Sequence, residues 1–113
     1  MLKKVRASFY RTVSGNEPVR EWIKSLSLED RKIIGADIAT VEFGWPVGMP
    51  VCRSLGKGIW EVRSNITDGI ARVLFFFHDG RLILLHGFVK KTQKTPDEDL
   101  KLATKRMREV ENG

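Results

Sequence analysis

Apolar residues recur at helical spacing in the first part of the chain and at strand spacing in the second. Residues 4–10 predict a first strand. Gly15-Asn16-Glu17-Pro18 reads as a turn and helix start, with Asn16 as N-cap and Pro18 in the first turn. Val19, Trp22, Ile23 and Leu26 fall at i, i+3, i+4 and i+7, the apolar stripe of a helix. Ser27 is placed to cap a second helix, with Asp30 in its first turn, Ile34, Ile38 and Val41 as its stripe and Gly44 at its end. The two helices form a hairpin with almost no loop. Gly44-Trp45-Pro46-Val47-Gly48-Met49-Pro50 is a breaker-rich connection in which Trp45 serves as an anchor. Strand patterns follow: a short one at 51–55, then 58–64, 70–77 and 82–89. The last two are almost continuously apolar, as expected of central strands buried on much of both faces. Asp79-Gly80 has the chemistry of a two-residue type I′ turn, and Asp68-Gly69 suits the preceding hairpin. A final helix from 96 to about 110 carries Leu100, Ala103, Met107 and Val110 on one face, after a Thr95-Pro96-x-Glu98 start that fits a capping box. The order β-α-α-β-β-β-β-α predicts an α+β fold: a small antiparallel meander with helices covering one face.

Length and charge narrow the function. At 113 residues and 42% hydrophobic, residues 1–113 are expected to form one domain. A net charge of +6 favours an anionic partner, either nucleic acid or an acidic protein. No apolar run approaches membrane-spanning length, and no basic amphipathic segment stands out, so no membrane partner is expected. The basic start Met1-Leu2-Lys3-Lys4-Val5-Arg6 is not followed by a signal-type apolar region, so a cytoplasmic location is expected. The lone Cys52 excludes an internal disulfide, and with two histidines it makes a conventional zinc site improbable. Neither metal nor cofactor is expected. Gly56-Lys57-Gly58 is too short a signal for a nucleotide loop.

Strand alternation then gathers charge. With Asp79-Gly80 as the turn, Arg72 lies opposite Gly87; with Asp68-Gly69 as the other, Arg63 lies opposite Leu74. Arg63 and Arg72 then share one open face, with Lys91 continuing it and Gly87 leaving bare backbone beside Arg72. Trp60, Val62, Val73, Phe75, Leu82, Leu84 and His86 point to the opposite, helix-covered face. Guanidiniums side by side repel, and a phosphate between them offsets that repulsion through their planar donor forks. The alternative for Arg63 is a same-face ion pair with Glu61, two residues away. Beyond the strand, Lys90, Lys91 and Lys94 are tethered between two regular elements, a place to hold phosphate. Phe88 either stacks on a base or packs in the core. Arg53, Lys57 and Lys94 either contact backbone phosphates or are solvated charges.

Leu55-x-x-x-Ile59-Trp60-Glu61-Val62-Arg63, Ala71-Arg72-Val73-Leu74 and Leu85-His86-Gly87-Phe88-Val89-Lys90-Lys91-Thr92-Gln93-Lys94-Thr95-Pro96 together resemble the RelE/ParE toxin superfamily. They are most similar to its phage-derived HigB-like branch. The likeness spans nearly the whole chain, including the Gly-Asn-Glu-Pro-Val helix start. It implies a toxin of a type II toxin–antitoxin pair, a metal-free endoribonuclease that cleaves mRNA, typically on the ribosome. Its implied partner is a helix-turn-helix antitoxin. The implied reaction is attack of a 2′-hydroxyl on the adjacent phosphorus, giving a 2′,3′-cyclic phosphate and a 5′-hydroxyl. Arg63 and Arg72 match the strand arginines that contact the scissile phosphate. Lys90 and Lys91 fall where relatives keep catalytic Tyr, His or Lys groups, and no tyrosine or histidine follows Phe88 here. A solvated lysine, with a pKa of ~10.4, is protonated at neutral pH and suits a general acid or electrostatic role; it serves as general base only if clustered cations and burial lower its pKa. Two other functions fit the same scaffold: a ParE-like inhibitor of DNA gyrase and a catalytically silent RNA-binding relative. The lysine-rich strand end argues against the gyrase inhibitor.

Overall fold

The computed structural model describes residues 2–46, 52–90 and 96–113. Its elements run β1 (Arg6–Phe9), α1 (Pro18–Lys24), α2 (Leu28–Gly44), β2 (Cys52–Gly56), β3 (Ile59–Ile66), β4 (Gly69–His78), β5 (Arg81–Lys90) and α3 (Asp97–Asn112). This is the predicted α+β class and element order. The five strands lie in the order β1-β5-β4-β3-β2. Strands β2 to β5 form the expected antiparallel meander, but β1 joins β5 in parallel, so the sheet is mixed. The free edge of β1 is closed by one residue near the end of α2. Glu42 Oε2 accepts from the Ala7 amide at 2.7 Å, and its Oε1 accepts from Lys3 Nζ at 2.7 Å. The Lys4 and Val5 amides donate to the Glu42 carbonyl at 3.1 and 3.2 Å.

The helices cover both faces of the sheet, not one. α1 and α2 bury Val19, Ile34 and Val41 against Val62, Val73, Phe75 and Leu82. α3 buries Ala103 and Met107 against Tyr10, Ile59, Leu74, Phe76 and Leu85 on the other side. The reason is the apolarity of β4 and β5 on both faces, which one helical layer cannot remove from water. Among the described residues no helix is long and apolar enough to cross a membrane.

Capping follows the sequence in one helix and departs from it in another. Ser27 Oγ accepts from the Asp30 amide at 3.1 Å, as its position suggests. α1 is capped at Glu17 without a side-chain bond. Asn16 is instead tied into the preceding loop, where its amide donates to Thr12 Oγ1 at 3.0 Å and its carbonyl accepts from the Thr12 amide at 2.8 Å. The N-cap of α3 is Pro96, in extended conformation, one residue later than expected and without a side-chain bond; Thr95 itself lies outside the described residues.

Two turns set the register. Asp79 and Gly80 both have positive φ, +48° and +78°, as a type I′ turn requires. Between β3 and β4 the turn is Thr67-Asp68, one residue earlier than expected, with Ile66 opposite Gly69. Asp30 of α2 fixes it, accepting from the Thr67 amide at 3.2 Å and the Thr67 hydroxyl at 3.0 Å. The slip moves the pairing by two residues, so faces are preserved and Arg63 lies directly opposite Arg72. Between β4 and β5 the expected pairing runs from His78–Arg81 to Phe75–Leu84, and then a bulge shifts it. Arg72 therefore faces Phe88, not Gly87, and His86 lies opposite Leu74.

The same bulge turns Gly87 toward α1. A Cβ built there would lie 2.4 Å from Cε3 and Cζ3 of Trp22. Gly87 thus admits the indole of the α1 stripe and does not expose backbone beside Arg72. Gly87→Ala is expected to destabilise the protein by about 1–3 kcal/mol through overpacking. Chemical denaturation checks this, and adding Trp22→Leu should recover part of the loss in the Gly87→Ala background.

Candidate functional site

Alternation along four neighbouring strands places Arg53 of β2, Glu61 and Arg63 of β3, Arg72 of β4 and Phe88 and Lys90 of β5 on the α3 face. Arg53 is directly opposite Glu61, and Arg63 is opposite Arg72. The three arginines converge on one carboxylate. Arg72 Nη1 donates to Glu61 Oε2 at 2.9 Å. Arg53 Nη2 lies 3.3 Å, and Arg63 Nε 4.0 Å, from Glu61 Oε1.

Burial divides the cluster into a base and two arms. Glu61 and Arg72 have no exposed surface. The side chains of Arg53 and Arg63 remain 35% and 19% exposed. Arg72 was expected on an open face. Instead it is fully enclosed, with Arg63 and Phe88 directly opposite it on the two neighbouring strands. A buried ion pair of this kind is held by the mutual need of its charges, since either partner alone would be desolvated without compensation. Three guanidiniums and one carboxylate sum to a formal charge of +2, and Arg53 and Arg63 are the members with exposed surface. Such an arrangement can bind an anion without a metal, through donor forks already held in place.

The remaining predicted residues fall as follows. Phe88 is half-buried, packs against the α3-side core and stacks on His86, with ring centroids 5.4 Å apart at 24°. Lys90 is opposite Ile70, on the same face as Arg72. Lys57 occupies a left-handed position (φ +55°) in the β2–β3 turn, four residues from Arg53 or roughly 13 Å along the strand, and stands apart from the cluster. Lys91 and Lys94 lie outside the described residues.

Two features were missed in the sequence. Glu61 is the hub of the cluster, not the partner of Arg63 alone. Its Glu-x-Arg spacing signalled a shared face, but the approach of Arg53 and Arg72 depends on cross-strand register. The second is His86. Expected on the opposite face, it lies on this one because of the bulge, and its Nε2 donates to Asp99 Oδ1 of α3 at 2.6 Å. The result is a histidine–carboxylate pair beside Phe88. Cys52 takes no part in this chemistry. It is fully buried on the α2 side, and burial, with a smaller contribution from the Glu61 charge, pushes its thiol up to about 11.

No curated protein matches the sequence. The model of one family does, over residues 21–108. That stretch includes α2, the whole β2–β5 meander with its arginine cluster, and most of α1 and α3. The chain belongs to the family of phage-derived Gp49-like proteins (DUF891).

Proposed function

We propose that the chain is the toxin of a type II toxin–antitoxin pair, a metal-free endoribonuclease that cleaves mRNA on the ribosome and so inhibits translation. Its partners are then mRNA, the ribosome and a helix-turn-helix antitoxin, in the cytoplasm. The observation that carries this reading is the convergence of Arg53, Arg63 and Arg72 on Glu61, with Arg53 and Arg63 keeping exposed surface. A phosphodiester held by Arg53 and Arg63 gains charge as the 2′-oxygen attacks phosphorus and the bond to the 5′-oxygen breaks. Donors aimed at that growing charge lower the barrier. Arg72, wholly buried, acts through Glu61 and fixes the positions of the two outer guanidiniums. The 2′-hydroxyl must lose a proton and the 5′-oxygen must gain one. Lys90, Lys91 and the His86–Asp99 pair are the candidate groups for these transfers, and Phe88 offers a ring to an adjacent base. Lys94 and Lys57 are left as contacts to more distant phosphates.

A catalytically silent RNA binder is the second candidate, favoured by the enclosure of Arg72. Brief induction in cells followed by mapping of 5′-hydroxyl ends separates the possibilities. Discrete new 5′-hydroxyl ends in mRNA are expected. Intact transcripts would refute cleavage. With RNA retained on the purified protein, they would mark the silent binder; with gyrase-linked DNA breaks, a ParE-like inhibitor.

A further inference from the structure

On the face that carries α3, the described residues cover only half of the sheet. α3 packs over β4 and β5, and among the described residues no helix lies beside it over the β2–β3 hairpin. The gap is a groove of about 900 Å³ between α3 and the hairpin. Leu55 and Leu100 form its floor, with Ile59 beneath. Lys101, Lys105 and Arg108 line the α3 wall, and Lys57 lies on the hairpin side. The lining carboxylates are Asp97 and Glu109, and Glu109 accepts from the Tyr10 hydroxyl at 2.5 Å.

We infer that this groove receives an acidic amphipathic helix of a partner protein. A second helix laid beside α3 at the usual ~8–10 Å axial separation would complete the layer over the uncovered strands. The cations at 101, 105 and 108 follow i, i+4, i+7 spacing, so they run in one row for ~10 Å along the wall. With Lys57 on the other side, a helix bearing an aliphatic stripe flanked by Asp and Glu meets opposite charge on both sides. A nucleic-acid strand fits less well. The floor is aliphatic and none of the described lining residues is aromatic, so bases find no stacking platform. Leu55 and Arg53 are alternate residues of β2, as are Ile59 and Glu61 of β3, so the groove runs directly into the arginine cluster.

The test does not depend on catalysis. Random peptides of helix-forming length are selected on the intact protein, and the enriched sequences are titrated into labelled protein by NMR. Enrichment of aliphatic residues at i, i+3 or i+4 and i+7 with flanking Asp and Glu is expected, shifting the amides of Leu55, Ile59 and Leu100. Affinity should fall roughly tenfold in the double variant Lys101→Glu/Lys105→Glu, as expected for reversing two rim charges. Both residues are exposed, and an unchanged unfolding midpoint confirms that this variant folds. Enriched peptides that lack acidic residues, or that shift amides elsewhere, would overturn the inference. So would a short single-stranded RNA that displaces the peptide and shifts the same groove amides.

Discussion

Glu61→Gln is expected to cost about 3–5 kcal/mol of folding stability, the usual penalty for removing one partner of a buried ion pair. The carboxylate is the hub of three guanidiniums, and neither it nor Arg72 has exposed surface. A neutral amide of the same shape leaves the packing intact and removes the charge that the arginines share. Arg72 then stays buried beside Arg63, its direct partner across the strands, and the Glu61 charge no longer offsets their repulsion. Urea unfolding of the purified variant measures the effect. Glu61→Gln combined with Arg72→Met should regain much of the loss, because both members of the buried pair are then neutral. A loss below about 1 kcal/mol would mean that the cluster is solvated and that Glu61 is not its centre.

Arg63→Ala is expected to reduce RNA cleavage by ~10²–10³-fold, the effect of losing one donor to a transition-state oxyanion. It should cost less stability than Arg72→Ala. Arg63 makes the longest of the three contacts to Glu61, at 4.0 Å, and its side chain keeps 19% exposure where Arg72 has none. Arg72→Ala should lose activity together with stability, since it removes the 2.9 Å partner of a fully buried carboxylate. Measuring cleavage and the unfolding midpoint on both variants separates the two roles. An Arg63→Ala protein that cleaves normally would remove Arg63 from the chemistry, whatever else the cluster does.

Local pattern carried far in this chain. The stripe of Val19, Trp22 and Ile23, the cap at Ser27 and the I′ turn at Asp79-Gly80 each depend on residues close in sequence, and each is found in the structure. The shared face of Arg63 and Arg72 was legible for a subtler reason. Moving a two-residue turn by one position shifts pairing by two, and a shift of two preserves sidedness. The errors lay where a distant residue decided. Asp30 on α2 chose the β3–β4 turn, a contact 37 residues away in sequence. The bulge at β5 changed sidedness, so His86 moved to the arginine side and Gly87 moved to Trp22.

Periodicity and turn chemistry thus determined which segments are helix or strand, their order, and the grouping of basic residues along consecutive strands, because these follow from backbone geometry within a few residues. Tertiary structure alone decided that α3 covers the second face, that Arg72 is enclosed, and that one glutamate gathers arginines from three strands. Those outcomes depend on which surfaces meet across the sheet, and burial together with charge pairing between remote residues has no local signature.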